Sequence, residues 1–116
     1  METTIKGRAQ EAAVKFLDSK GYIIVENGWA HGADAVDLIA KDGDDLVFID
    51  VLVGEGFRGM PEEKPDRGKF ERLAVAYLAE ADGSCNLAIR YDIVSLLVVN
   101  SDRALLRHHV NALSAS

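Results

Sequence analysis

Cysteine occurs once in the 116 residues, at Cys85, so the chain can form no internal disulfide and no cysteine-based zinc cluster. Proline occurs twice, at Pro61 and Pro65, and no low-complexity tract, internal repeat or linker interrupts the rest. Apolar stretches such as 46–49 and 96–99 are far too short to cross a bilayer. The opening METTIKGRAQ has no apolar core of the kind a secretory signal needs. These absences predict a cytoplasmic protein with no membrane partner. An apolar share of 48% is ordinary for a globular chain, and 116 residues supply one core but not two, so 1–116 reads as a single domain.

Basic residues are also in deficit, giving a net charge of −6, which by itself argues against nucleic acid as a partner. The deficit is local. From Asp34 to Glu55 there are seven acidic residues and one basic residue, Lys41, whereas the remainder has twelve of each. The turn KDGDD accounts for part of this as a solvated acidic hairpin. The alternative is a site that needs a cation before it can approach phosphate.

Apolar periodicity gives the elements. Ile5, Ala9, Ala12, Ala13, Phe16 and Leu17 recur at helical spacing before Lys20-Gly21, which predicts a helix over 4–20. YIIVEN (22–27) reads as a strand and WAHGAD (29–34) as irregular. The segments 35–41 and 46–53 flank the turn DGDD as a hairpin. Residues 54–65 read as a loop. Asp66 caps a second helix with the stripe Phe70, Leu73, Ala74, Tyr77, Leu78 and Ala81. A long strand follows over 87–99. Ser101 or Asp102 then caps a short C-terminal helix carrying Leu105, Leu106, Val110 and Leu113. The order αβββαβα calls for an α/β fold, a mixed sheet with helices on its faces.

The second hairpin arm, LVFIDVLV, places one carboxylate in an apolar run. Alternation puts Leu46, Phe48, Asp50 and Leu52 on one face and Val47, Ile49, Val51 and Val53 on the other. A carboxylate buried there must be hydrogen-bonded, paired or bound to metal. The neighbouring arm supplies Asp37 between Val36 and Leu38. Two acids on paired strands can jointly hold a hard cation such as Mg²⁺ through oxygen. The bland alternative is Asp37 at a sheet end and Asp50 paired with an arginine such as Arg90.

Four segments, in order, resemble the YraN-type endonuclease-like family. GRAQEAAVKFLDSKGYIIVEN is similar to its opening helix and strand, and VDLIAKDGDDLVFIDV to its central hairpin. Lys69 with Leu73 resembles its second-helix K-x-x-x-L, and RYDIV (90–94) its closing strand. The resemblance runs from Gly7 to about Val99 and implies a restriction endonuclease-like αβββαβ core, related to archaeal Holliday-junction resolvases. It implies a DNA nuclease, on duplex or branched substrates, using Mg²⁺ or Mn²⁺, with a homodimer common where a fold cuts two strands. Asp37 and Asp50 take the two metal-binding roles, and Glu11 matches a first-helix glutamate near the site. Helical periodicity instead puts Glu11 on the solvated face.

Two positions depart from the pattern. The acid expected two residues before Asp37 is Ala35, and the lysine expected two residues after Asp50 is Leu52. Leucine cannot position water or offset phosphate charge, so the pocket should be drier and less positive, and loss of a positioned acid–base group costs about 10²–10⁴ in rate. Lys69, Arg58 or Lys64 could bring in another cation, Lys69 being the best placed at the start of its helix. Asp34 would need a bulge at Gly32–Ala33 to join Asp37. The sequence therefore points to a degenerate nuclease site or to an inactive binding or scaffold domain. His31, Trp29 and Cys85 read as surface or packing residues, and the adjacent His108 and His109 as residues of a helix C-terminus. GEGFRG (54–59) lacks the lysine and helix of a phosphate-binding loop.

Overall fold

In the computed structural model, residues 4–80 and 88–113 are described, apart from the side chain of Phe57. Ala81, Cys85 and the first residue of the predicted 87–99 strand lie outside the described residues. Helix α1 (Ile5–Ser19) is followed by strands β1 (Ile23–His31), β2 (Asp34–Asp42) and β3 (Asp45–Glu55). A short 3₁₀ turn at Gly56–Arg58 leads to α2 (Arg67–Glu80), β4 (Ala88–Asn100) and β5 (Arg103–His109). The strands form one mixed sheet in the order β1-β2-β3-β4-β5, antiparallel except for the parallel pair β3–β4 that α2 connects. This is the restriction endonuclease-like αβββαβ core, with a fifth strand added.

Local chemistry explains the element ends. The Thr4 hydroxyl accepts the Gly7 N–H at 2.9 Å and starts α1. At its other end the Tyr22 N–H donates to Leu17 O and the Gly21 N–H to Asp18 O, the paired closure that needs a left-handed residue, here Gly21 at φ 91°. Asp66 caps α2 by accepting the Lys69 N–H at 3.0 Å.

Two predicted segments need correction. WAHGAD is not irregular: β1 runs on to His31, which pairs with Asp34 across the turn Gly32–Ala33. Gly32 supplies the positive φ, 61°, that a two-residue hairpin demands at its first central position. The C-terminal helix is absent as well, because that segment forms β5. Ser101 and Asp102 are turn residues, with the Asn100 side chain accepting the Asp102 N–H at 2.8 Å, and the open edge of β4 then takes the chain as a strand. His108 and His109 accordingly lie on opposite faces of the sheet, not on a helix.

The two sheet faces carry separate cores. Ala9, Ala13 and Leu17 of α1 pack on Val47, Ile49 and Val51, whereas Leu73 and Ala74 of α2 pack on Leu46 and Phe48. The alternation read in β3 holds: Val47, Phe48, Ile49 and Val51 are fully buried, each stabilising by about 1.5–3 kcal/mol relative to exposure. In β2 the alternation breaks. Val36 belongs to the α2 side and Leu38, two residues on, to the α1 side. The break falls at Asp37.

Candidate functional site

The β2–β3 ladder runs outward from the turn only as far as Leu38 opposite Ile49. Beyond it, Val51 would leave its main-chain groups unpaired on the β2 side. The Asp37 carboxylate takes the Val51 N–H through Oδ2 at 2.7 Å, and Lys6 donates to the Val51 carbonyl. Lys6 Nζ also lies 2.9 Å from the same Asp37 oxygen. Gln10, one turn further along α1, donates to the Asp37 carbonyl at 3.1 Å and to Asn27 at 2.7 Å. Positions 6 and 10 thus face the opening in the sheet, while Glu11 is exposed and does not line the pocket there. Of the first-helix residues, Lys6 and Gln10 reach Asp37.

Asp50 lies on the same pocket wall, with its side chain 15% exposed. Its Oδ2 accepts the Tyr91 hydroxyl at 2.6 Å from β4, and Lys69 Nζ stands 3.4 Å away at the first turn of α2. Burial, with the Asp50 carboxylate beside it, raises the Tyr91 pKa well above the usual phenol range, so Tyr91 acts as a neutral donor. Among the described residues, Oδ1 of Asp37 and Oδ1 of Asp50 have no hydrogen-bond partner.

Asp37, Asp50, Ala35, Leu52, Lys6 and Lys69 line one open pocket of about 350 Å³. Glu62 and Lys64 from the loop also line it, so three lysines face three carboxylates. The lining is therefore charge-balanced with Leu52 in place of a lysine. Arg58 lines a different hollow, beside Gly54.

The donors at the opening are hard oxygens, namely two carboxylates and the Val51 carbonyl. That set suits a cation of the Mg²⁺ kind that keeps several of its waters. The Lys6 ammonium already stands against two of these groups as a cation would. Among the described residues, no cluster of three His, Cys, Asp or Glu side chains adds to the pair.

Arg90 does not pair with Asp50. It donates to Asp92 at 2.9 Å through Nε and reaches Asp45 at 2.9 Å and Asp42 at 3.0 Å through Nη1. Asp92, fully buried, also accepts the Tyr22 hydroxyl at 3.0 Å and the Asn111 N–H at 2.9 Å, with His108 Nε2 at 2.8 Å. Burial alone would raise the Asp92 pKa, but His108, Arg90 and the Asn111 N–H outweigh it and bring the carboxyl down to about 2. Arg72 holds Asp34 through two hydrogen bonds of 2.8 and 3.0 Å, which depress its pKa, and Asp34 does not line the pocket of Asp37. Five of the seven acids between Asp34 and Glu55 thus meet a basic group from elsewhere in the chain: Asp34, Asp37, Asp42, Asp45 and Asp50. Four basic side chains, with Arg90 shared by Asp42 and Asp45, thus offset part of the local acid excess.

The family model described as "Uncharacterised protein family UPF0102" matches residues 9–96, which take in both hairpin acids, Lys69 and the Arg90–Asp92 strand. The chain belongs to UPF0102. This is the YraN-type endonuclease-like family indicated by the sequence motifs. A UPF0102 protein of Nocardia farcinica is 36% identical over 104 residues, covering 85% of this chain and 80% of its own length. One from Beutenbergia cavernae is 31% identical over 103 residues, 85% of this chain and 86% of its own. A third, from Chlorobaculum tepidum, is 31% identical over 104 residues, 86% of this chain and 80% of its own. These UPF0102 relatives carry the family name and no stated activity. Lys6 lies outside the matched segment. No helix among the described residues is long and apolar enough to cross a membrane.

Proposed function

We propose that the protein is a nucleic-acid-directed domain of the nuclease fold whose Asp37–Asp50 pair is a divalent-metal site of reduced hydrolytic power. The observation that carries this reading is the convergence of both acids, with Lys69 beside Asp50, on one open pocket. Mg²⁺ or Mn²⁺ held by Asp37 and Asp50 would supply a Lewis acid that lowers the pKa of water and offsets charge on a phosphodiester. Tyr91 keeps the Asp50 carboxylate oriented, and Lys69 supplies a cation toward the phosphate. The balance of three lysines against three acids lets a polyanion approach without a large Coulomb barrier. Leu52 leaves no amine to position water, which lowers the rate rather than the binding.

The test is incubation of the protein with duplex, single-stranded and branched DNA in Mn²⁺. Weak cleavage that disappears in Asp37→Asn and Asp50→Asn supports the reading. Cleavage that survives Asp50→Asn removes it.

A second reading, a binding or scaffold domain without catalysis, is favoured by the ammonium already beside each acid. It expects no cleavage by any variant and no change in melting temperature with divalent ions.

A further inference from the structure

We infer that the Lys6 ammonium is a resident cation of this pocket and competes with a divalent ion for the same oxygens. The inference rests on the reading of Asp37 and Asp50 as a metal site and adds what occupies that site when no metal is bound.

Lys6 donates to a carboxylate oxygen of Asp37 and to the main-chain carbonyl of Val51, two hard-oxygen acceptors that a divalent ion would also use. Its place in the helix points the same way. Lys6 is the second residue of α1, where exposed N–H groups and the helix dipole disfavour positive charge. No carboxylate lies in that first turn to compensate. The Asp37–Val51 opening offsets this local cost. The side chain is 49% exposed, so it can swing into solvent without disturbing either core. Asp37 then keeps the Val51 N–H, which holds its carboxylate in position for the incoming ion. Lys69 is differently placed, because its longer contact of 3.4 Å falls on an Asp50 oxygen that Tyr91 already serves.

The experiment is a Mn²⁺ titration of the full chain, with free ion followed by electron paramagnetic resonance and folding checked by circular dichroism. Lys6→Met should bind Mn²⁺ about tenfold more tightly than the unaltered protein, since a like charge no longer opposes the ion. Lys6→Arg should behave as the unaltered protein, because the charge remains. Adding Asp37→Asn to Lys6→Met should abolish the gain. Should Lys6→Met fail to fold, Lys6→Gln carries the same comparison, its amide still able to donate to the Val51 carbonyl.

Equal affinity with and without the lysine charge, or no saturable binding in either protein, overturns the inference. A lysine-free variant that gains the ion yet cuts no DNA upholds the competition and removes the hydrolytic reading. Unaltered affinity in a protein that does cut DNA with Mn²⁺ has the reverse meaning.

Discussion

Asp92 and Asp50 are both strand aspartates among apolar neighbours, yet they end in opposite circumstances. Around Asp92 the sheet closes. Tyr22, Arg90, His108 and the Asn111 N–H converge on a carboxylate that no solvent reaches. Around Asp50 one oxygen is held by Tyr91 and Lys69, and the pocket beside it stays open to Asp37, Lys6 and the loop. The difference lies in what the neighbouring strands do. β3 and β4 stay in register on both sides of Asp92 and the β4–β5 ladder begins at the next residue, Ile93, whereas β2 and β3 part beyond Leu38 and Ile49. Saturated hydrogen bonding turns an acid into a structural lock, and a parted ladder leaves one that can still accept a partner.

The sharpest way to break the comparison is to empty the lock. Asp92→Ala should cost about 3–5 kcal/mol in urea unfolding, because Tyr22, Arg90, His108 and the Asn111 N–H then lose their shared buried acceptor. Asp50→Ala, in the open pocket, should cost clearly less. Equal losses would mean that both acids are structural.

A gain of function comes next. Leu52 is half-buried and lines the pocket, so Leu52→Lys can place its amine beside Asp50. Mn²⁺-dependent cleavage of branched DNA should rise by about 10²–10⁴, the usual worth of a positioned acid–base group. Absence of any gain in a folded variant would show that the missing lysine is not what limits the site.

Acid should separate the clusters in turn. The Asp92 pKa falls from 3.8 to about 2 on folding, so its contribution is complete above about pH 5 and is lost as pH drops toward 2. About 2 pK units correspond to roughly 2–3 kcal/mol, which urea melts between about pH 5 and pH 2 should register. Asp92→Asn should flatten the curve in that window.

The smallest effect is expected at Lys69. Its contact with Asp50 is long and partly exposed, so Lys69→Met should change stability by no more than about 1 kcal/mol. DNA affinity at low salt should fall in the same variant, as filter binding or fluorescence anisotropy would show.

Much of this architecture is legible from the chain. The stripe from Ala9 to Leu17, the stop at Gly21 and the turn DGDD follow from local rules, and the β3 alternation puts Asp50 and Leu52 on one face. Residues 103–109 were not legible as a strand. Their two leucines are adjacent, so no clean alternation appears. What fixes the conformation is remote: the free edge of β4, Asp92 taking His108, and Glu63 taking Arg107 and His109. Lys6 was illegible for a similar reason. Its partner lies 31 residues away, and a lysine in a helix's first turn reads as solvated. The sequence offers Arg90 only as one possible partner for Asp50, and it is the parallel register that brings Asp45 beside it.

The last strand has one more consequence. Its alternate side chains work as a rivet through the sheet: His108 fastens to Asp92 on one side, while Arg107 and His109 fasten the loop glutamate Glu63 on the other. A chain ending at Asn100 would therefore lose both fastenings at once, unlocking the interior and leaving Glu63 of the loop only its bond from Ser95.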